Sequence, residues 1–399
     1  MEQTWRWFGP KDPIPLNHVR QAGATGIVTA LHHVPAGQAW PVEEIAKRQQ
    51  AIEAAGMRWS VVESIPVPES IKLRTGSVES DIQAWKTSLA RCGQAGIRTV
   101  CYNFMPVVDW TRTDLMWPLP STGYALRFDI HDFAVYDIFI LQRENARDDF
   151  DGRIVQEAER RFARLDEAGI ERLEKTIIAG LPGADFSYDR ATLRRLIAQY
   201  DQVGPDDLAR NLALFLEEVA PVAQAHGVQL GIHPDDPPMP LFGLPRIVST
   251  KDDLWRLLDA VPIAANGLTL CVGSLGVRAG NDLVDMVRTF ADRIHFAHLR
   301  DVTYETNGSF FEAEHLDGSS DMIGVVSALL AEERRRREQG HAQTEIPFRP
   351  DHGHLLGDDI GKRTNPGYSY IGRLKGLAEL RGVIRTLEYA QARGAEKVR

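Results

Sequence analysis

Short apolar segments alternate with amphipathic segments along most of this chain. Eight of the apolar segments have the length and the content of β-branched and aromatic residues that buried strands have. They cover residues 4–9, 26–31, 58–63, 98–104, 229–233, 268–271, 294–298 and 346–351. Helical periodicity runs between them, for example through residues 42–55, 77–95, 205–226 and 281–292. Because strands that alternate with helices pair in parallel through right-handed crossovers, eight such units predict a (β/α)8 TIM barrel of the α/β class.

The alternation is interrupted once, between the fourth strand and the helix at 205–226. Residues 105–205 form an insertion that is mostly polar and helical in pattern, as over 148–173, with an irregular start around 117–120. Since it follows the carboxyl end of a barrel strand, it is expected to lie over the catalytic face as a cap or lid. A dimerisation element is the alternative. The chain is therefore predicted to be a single barrel domain over 1–399 with 105–205 inserted.

The last four predicted strands each end on a residue that can bind a metal ion. These residues are His233, Cys271, His298 and Asp351. A parallel barrel gathers side chains from the carboxyl ends of its strands into one active site, so the four are expected to converge. Any one of them alone is weak evidence, because a lone buried cysteine, for example, is usually a packing residue. The four together predict a divalent-metal centre.

The predicted ligand set is mixed, with two nitrogens, one sulfur and one oxygen. Closed zinc sites usually contain several cysteines at CxxC spacing, and the sequence has no such pair. A mixed set spread over four strands suits a catalytic manganese, iron(II), zinc or cobalt ion with coordination positions left open for a substrate.

Polar residues at the earlier strand ends are candidates for substrate binding. His32, Glu63 and Asn103 stand at the ends of the second, third and fourth predicted strands. In a barrel these ends face the same site as the candidate metal ligands. Hydrogen bonding within the loops is the alternative role for each of the three.

The segment after the last strand is rich in basic and phenolic groups. It carries Arg349, His352, His354 and Tyr368, and its glycine, proline and asparagine residues predict a loop. Arg300 adds a further cation, since it follows the third candidate ligand by two positions. Cations and phenols beside a metal suit an anionic, hydroxylated ligand.

Composition and charge narrow the class of partner. The chain has 399 residues, of which 43% are hydrophobic and 25% charged, as in ordinary globular enzymes. A formal net charge of −9 and an isoelectric point of about 5.8 argue against nucleic acid and anionic membrane surfaces, which need a concentrated basic face. The one dense basic run, at 334–338, is interpreted as the solvated face of a surface helix.

Cysteine content and the absence of sorting signals indicate a compartment. Three cysteines, sparse and odd in number, do not describe a disulfide framework and fit a reducing environment. No apolar stretch approaches the roughly 18 residues of a membrane-spanning helix, and the first residues lack the pattern of a signal peptide. A cytoplasmic protein is expected.

Five motifs around the candidate site resemble those of the mannonate dehydratase family. They are Gly-Ile-His-Pro-Asp-Asp-Pro-Pro at 231–238, Cys-Val-Gly-Ser at 271–274, His-Phe-Ala-His-Leu-Arg at 295–300, Phe-Arg-Pro-Asp-His-Gly-His at 348–354 and Asn-Pro-Gly-Tyr at 365–368. The first and fourth of these motifs form a highly specific combination. The resemblance extends from residue 1 to about residue 381, and no ligand position departs from it.

The resemblance implies a barrel related to xylose isomerase and a Mn²⁺ or Fe²⁺ ion held by the four predicted ligands. It implies conversion of D-mannonate to 2-dehydro-3-deoxy-D-gluconate and water, a step of glucuronate and hexuronate breakdown. It also points to His352 and Tyr368 as the acid and base, without deciding which residue takes which step. A homodimer is expected, since large barrels of this kind often pair.

Elementary chemistry agrees with that reaction. Loss of water from a 2,3-dihydroxy acid needs a base for the C2 proton and an acid for the departing 3-hydroxyl. A divalent cation would stabilise charge that develops at the carboxylate, and Arg300 or Arg349 would add to this stabilisation. Tyr368 is better suited to the acid role, because the pKa of a phenol is ordinarily about 10.

Three alternatives compete with this interpretation. A metal-dependent sugar isomerase or epimerase on the same barrel usually relies on several glutamate and aspartate ligands, whereas here a cysteine takes one position. A multi-zinc nuclease would need more histidine and glutamate ligands and a basic face, which the acidic isoelectric point disfavours. A sugar-acid binder with a structural metal would bind the same ligand without turnover.

Overall fold

A closed parallel barrel dominates the computed structural model, which describes residues 1–178 and 189–396. The strands of the described residues are, in chain order, β1 (Glu2–Arg6), β2 (Gly26–Thr29), β3 (Arg58–Glu63), β4 (Thr99–Tyr102), β5 (Asp114–Pro118), β6 (Tyr124–Phe128), β7 (Gln229–Ile232), β8 (Leu268–Cys271), β9 (Ile294–His298), β10 (Val302–Tyr304), β11 (Phe310–Glu312) and β12 (Pro347–Arg349). The order around the barrel is β1-β12-β9-β8-β7-β4-β3-β2, with parallel pairing throughout. The predicted TIM barrel and its eight strands are confirmed.

Helices follow the strands and cover the outside of the barrel. They are α1 (Leu16–Gln21), α2 (Val42–Ala54), α3 (Glu69–Leu73), α4 (Val78–Gln94), α5 (Ile130–Ala134), α6 (Gly152–Phe162), α7 (Glu167–Ile178), α8 (Arg190–Ala198), α9 (Pro205–Ala225), α10 (Lys251–Ala260), α11 (Val272–Leu275), α12 (Leu283–Phe290), α13 (Met322–Glu338) and α14 (Tyr370–Glu396). A π-helical segment continues α5, and three short 3₁₀ turns complete the helical structure: Val135–Ile140, then Ala146–Asp149, Ala291–Arg293 and Gly357–Asp359. Helices α2, α4, α9 and α12 confirm the four predicted helical segments. Within the described ranges, no helix combines the length and apolar character needed to cross a membrane.

Burial on both faces explains why the barrel strands have apolar sequences. Strands β2, β8 and β9 are buried at every position, as expected for parallel strands with helices outside and a filled interior. Val28, Val61, Cys101 and Phe296 form a small cluster separate from the main core between barrel and helices. These four side chains come from β2, β3, β4 and β9, so we assign them to the interior of the barrel.

A second sheet of four antiparallel strands is the main feature that the sequence pattern does not predict. Its order is β10-β11-β6-β5, so it joins two strands of the insertion to a hairpin that directly follows β9. The predicted irregular start around 117–120 is wrong for 117–118, which end strand β5, whereas 119–120 belong to no strand or helix. The helical pattern at 148–173 is confirmed, as α6 and α7 with a turn between them. Residues 179–188 of the insertion lie outside the described residues.

The basic run at 334–338 differs from its interpretation as a solvated face. Arg336 on α13 is only 3% exposed and pairs with Glu332, with Nε 2.7 Å from Oε1. Its Nη2 donates to the backbone oxygens of Ala291 and Ile294, both at 3.0 Å. The interpretation is therefore wrong for Arg336, whose hydrogen bonds connect α13 to the beginning of strand β9.

Candidate metal centre and active site

Three predicted ligands converge at the carboxyl ends of neighbouring strands. His233 directly follows β7, Cys271 is the last residue of β8, and His298 is the last residue of β9. One donor atom from each side chain lies within 4.8 Å of the other two. Nε2 of His233 is 3.1 Å from Nδ1 of His298. The sequence-based expectation that strand-end residues gather at one point therefore agrees with this geometry.

Asp351 stands at the edge of this cluster. It lies two residues beyond β12, with a φ of 63°, a left-handed conformation that is uncommon outside glycine. Its Oδ2 is 3.8 Å from Sγ of Cys271 and 3.9 Å from Nδ1 of His298. The same oxygen accepts a hydrogen bond of 2.6 Å from Nε of Arg300, and Arg349 donates to the other oxygen. The structure thus brings the four predicted ligands together, with the Asp351 carboxylate held by two arginines.

The charges around the cluster favour a bound cation. Burial alone raises the pKa of the Cys271 thiol, but Arg300 and His233 outweigh burial and hold that pKa well below its usual range. Burial likewise lowers the pKa of His233, yet the Cys271 thiolate raises it to about 9. Nδ1 of His233 lies 2.7 Å from the Pro234 carbonyl, which only accepts, so Nδ1 carries the hydrogen and Nε2 faces the cluster. A thiolate beside two imidazole nitrogens fits a divalent transition metal.

Glu63 lies behind His298 and is bound by arginines. Its Oε2 is 3.5 Å from Nε2 of His298, on the side of the ring away from the cluster. Arg349 donates to both of its oxygens, at 2.8 and 3.1 Å, and Arg6 lies 2.9 Å from Oε1. Burial raises the pKa of Glu63, but Arg349 and Arg6 hold it well below the usual range. In this position Glu63 lies next to a candidate ligand residue, as outer partners of metal ligands do, and its contact with substrate stays a prediction.

Arg300 connects the ligand cluster to a buried network. Besides Asp351, it donates to Glu312 at 3.0 Å, to Ser274 at 3.1 Å and to Asp236. Arg112 donates to the same two acids, at 2.8 Å to Asp236 and 3.0 Å to Glu312. Sequence reasoning missed Arg112 and Glu312 as site residues. Both lie on segments that the strand and helix patterns left unassigned, and the alternation within a three-residue strand such as β11 is too short to recognise.

The predicted acid–base residues are in contact. Nε2 of His352 is 3.3 Å from the phenolic oxygen of Tyr368, and both side chains are buried. Burial raises the pKa of Tyr368 to about 12, with Arg349 opposing the rise. Tyr368 is therefore protonated near neutral pH, and its ring is held edge-on by Phe8 with the ring centroids 4.8 Å apart. Nε2 of His352 is also 3.8 Å from Oδ1 of Asp351, which places the pair beside the ligand cluster.

The two remaining predicted substrate residues lie near other strand ends. His32 is half-buried, and its removal from water together with Arg6 and Arg48 lowers its pKa to about 3. Its Nε2 has no hydrogen-bond partner among the described residues. Asn103 directly follows β4 and donates to Oδ2 of Asp109 at 3.2 Å. Neither placement tests substrate contact, so both assignments stay predictions.

Fold and site together define a barrel enzyme of the α/β class with a candidate metal centre at the carboxyl ends of its strands. The family described as D-mannonate dehydratase (UxuA) matches residues 1–394. The chain therefore belongs to the D-mannonate dehydratase family, the hydro-lyases that convert D-mannonate to 2-dehydro-3-deoxy-D-gluconate and water. This confirms the resemblance and the function that the motifs predicted.

Individual relatives agree with this assignment. The chain is 58% identical to Mannonate dehydratase 2 of Agrobacterium fabrum, over 97% of this chain and 98% of that protein. It is 54% identical to Mannonate dehydratase of Saccharophagus degradans, over 99% of this chain and all of that protein. The crystal structure of mannonate dehydratase from Streptococcus suis serotype 2 superposes with a TM-score of 0.77 at 33% identity, covering 98% of this chain and 95% of that one. A xylose isomerase domain protein from Planctomyces limnophilus, at 10% identity and a TM-score of 0.50, shares the fold.

Proposed function

We propose that this chain dehydrates D-mannonate with His352 as the base and Tyr368 as the acid, beside a Mn²⁺ or Fe²⁺ ion. The observation that carries the proposal is the 3.3 Å contact between the two side chains at the edge of the ligand cluster. The base acts on the C2 proton and the acid on the oxygen bonded to C3, so both side chains must reach adjacent positions of one substrate.

The metal would be held by His233, Cys271, His298 and Asp351. Two imidazoles, a thiolate and a carboxylate are donors that Mn²⁺ and Fe²⁺ accept, and the buried thiolate argues against Mg²⁺. When bound, the cation supplies Lewis-acid stabilisation of the negative charge that develops at the substrate carboxylate.

The protein's own residues divide the proton transfers. His352 presents Nε2 toward Tyr368 and the ligand cluster, where it removes the C2 proton of the substrate. The pKa of about 12 keeps Tyr368 protonated, so it can donate to the 3-hydroxyl as that group leaves. The resulting enol then becomes the keto acid product. Each positioned proton transfer is worth about 10²–10⁴ in rate.

Arginines supply the charge around the substrate. Arg300 holds the Asp351 carboxylate in place, and Arg349 contacts both Asp351 and Glu63. Each terminal nitrogen of a guanidinium carries two hydrogens, so Arg349 can donate to a substrate oxygen and keep these contacts. His32 and Asn103 are proposed to bind substrate hydroxyls. Nε2 of His32 has no hydrogen-bond partner among the described residues.

Residues 105–205 are proposed to act as the cap of the active site. Strand β6 of this region pairs with β11, which places Glu312 in the network around Arg300. The pairing joins the proposed cap to the connection that follows β9 on the catalytic face of the barrel. A homodimer and a cytoplasmic location stay predictions; light scattering and cell fractionation test them.

A metal-replacement assay tests the proposal. The protein is stripped with chelator, reloaded with Mn²⁺ or Fe²⁺ under reducing conditions, and offered D-mannonate, D-gluconate and D-altronate. We expect keto acid from D-mannonate alone, only in metal-loaded protein, with release slowed about 10²–10⁴-fold in H352N or Y368F. Keto acid release from fully stripped protein, or unchanged turnover in both variants, contradicts the proposal. Aldose–ketose interconversion without release of keto acid instead favours the isomerase alternative.

A further inference from the structure

Glu312 lies on the antiparallel sheet, outside the barrel, yet it reaches the proposed base. It is the last residue of β11 and is 4% exposed. Its Oε1 is 2.7 Å from Nδ1 of His352 and accepts hydrogen bonds of 3.0 Å from both Arg112 and Arg300. We infer that Glu312 is a positioning residue of the dehydration reaction, which fixes the tautomer and the ring orientation of His352. This inference rests on the role proposed above for His352.

The first step concerns the proton on the imidazole. Arg112 and Arg300 both donate to Oε1 of Glu312 at 3.0 Å, and two such cations favour the ionised form of a carboxyl group. Glu312 is thus a carboxylate, which accepts hydrogen bonds and donates none. Nδ1 of His352 must therefore carry the hydrogen of this contact. Nε2 is then the nitrogen that faces Tyr368 and is free to take a proton from substrate.

The second step concerns the orientation of the ring. Aromatic neighbours hold the plane of the His352 ring edge-on, with centroids 4.9 Å from Tyr368 and 6.2 Å from Trp110. A half-turn of the ring exchanges the positions of nitrogen and carbon atoms but leaves its shape nearly unchanged. Packing therefore distinguishes the two orientations poorly, whereas a hydrogen bond from Nδ1 to a fixed carboxylate distinguishes them clearly.

The third step concerns what holds Glu312 itself. Both preceding residues of β11 pair with the insertion strand β6, Phe310 with Phe128 and Phe311 with Arg127. The backbone oxygen of Glu312 also accepts from Nε2 of His354 at 2.8 Å. The second sheet therefore positions Glu312, the hydrogen-bond acceptor that orients His352.

Substitution of Glu312 by glutamine tests the inference, because the side chain keeps its size and loses its charge. We expect kcat of E312Q per bound metal to fall about 10–100-fold, as for other outer partners of site histidines, with KM within about threefold. The matched control is E305Q. Glu305 follows β10 in the same sheet and pairs with Arg127 at 2.6 Å, without contact to His352. E305Q is expected to keep the wild-type kcat.

Two further variants separate this inference from the proposed role of His352. If Glu312 acts through His352, the double variant E312Q/H352N is no slower than H352N alone. The inference is overturned if the double variant shows the product of the two single effects, or if E312Q keeps the wild-type kcat while H352N is slowed. Full activity in H352N instead removes the proposed role of His352. If E312Q fails to fold or bind metal, E312D withdraws the carboxylate from Nδ1 but keeps the charge, and wild-type kcat in E312D then overturns the inference.

Discussion

His233 and His298 face each other at the carboxyl ends of the barrel strands, with Nε2 of His233 lying 3.1 Å from Nδ1 of His298. They are 65 positions apart in the chain and come together because they follow β7 and end β9, on either side of β8. Outside the cluster, Nδ1 of His233 donates to the Pro234 carbonyl, and the Glu63 carboxylate lies 3.5 Å from Nε2 of His298. The geometry of the candidate metal site therefore depends on these outer contacts, which mutation can test.

Substitution of Glu63 by glutamine is expected to weaken metal binding more than substrate binding. Glu63 lies 3.5 Å from Nε2 of His298, and loss of an outer partner of this kind typically costs 10–100-fold in metal affinity. We expect the Mn²⁺ dissociation constant of E63Q to rise by about 10–100-fold, measured by competition with a chelator. At saturating metal, KM for D-mannonate should change by less than about threefold.

The control for E63Q is E44Q. Glu44 also contacts a histidine, His33, at 3.0 Å, but this pair lies on the surface. E44Q is expected to bind metal as the wild type does. A large rise in KM of E63Q at unchanged metal affinity would show instead that Glu63 contacts the substrate, as the sequence pattern alone predicts.

Substitution of Tyr368 by phenylalanine is expected to separate the two proton transfers. Without its acid the enzyme should lose about 10²–10⁴ in kcat and keep its metal. His352 would still remove the C2 proton, so mannonate recovered from Y368F in D₂O should carry deuterium at C2. H352N should show a comparable fall in kcat but no exchange. Mass spectrometry of the recovered substrate measures both results.

A nearby tyrosine provides the control for this experiment. Tyr370 donates to the backbone oxygen of His18 at 3.1 Å and takes no part in the site, so Y370F should keep the wild-type kcat. Exchange in H352N together with its absence in Y368F would reverse the two assignments.

The barrel and the grouping of the candidate ligands were predictable, because the sequence signals that indicate them are local. Each barrel strand is a short apolar run, and the ligand stands at its end or one or two positions beyond, as Cys271 and Asp351 show. Once the repeat indicates parallel strands, topology alone places these ends together. No long-range contact has to be known in advance.

The network of side chains around the candidate ligands was not predictable, because it depends on contacts between residues far apart in the sequence. Arg112 meets Glu312 across 200 positions of sequence, and neither belongs to a segment with a clear period. The role of Glu312 depends on pairing between β11 and β6, which come from two separate connections of the barrel. Arg336 shows the same limit, because a run of arginines looks solvated until the buried acceptors around one of them are known.

Arg336 leads to a prediction about stability. Its substitution by alanine removes one partner of the buried Glu332 and one donor from each of two backbone oxygens. Because Arg335 still donates to both oxygens of Glu332 at 2.7 Å, the carboxylate keeps a partner, and the lost hydrogen bonds should cost about 1–3 kcal/mol of unfolding free energy. The neighbouring R337A is the control, since Arg337 is half exposed and its loss should cost less than about 1 kcal/mol. Urea unfolding of both variants measures the difference, and equal stabilities contradict the burial of Arg336.

Asp301 gives a prediction about pH. Burial raises its pKa to about 6, although the backbone N–H of Val302 donates to it at 2.8 Å. The folded state therefore holds this proton more tightly than the unfolded chain does, whose carboxyl has a pKa near 3.8. The contribution of Asp301 to stability is present below pH 4 and is lost as the pH rises from about 4 to about 6. A shift of this size corresponds to about 3 kcal/mol.

The variant D301N cannot ionise, so it should escape this loss. The difference in unfolding free energy between D301N and wild type should shift in favour of D301N by up to about 3 kcal/mol between pH 4 and pH 7. Urea unfolding of metal-saturated protein at several pH values measures it. The test uses only how the difference in unfolding free energy changes with pH, because replacing a carboxyl group by an amide also changes that free energy by a constant amount at every pH. D292N, at an exposed position, controls for the loss of one surface carboxylate. If the unfolding free energies of D301N and wild type change in parallel over this pH range, the pKa of Asp301 in the folded protein is not raised to about 6.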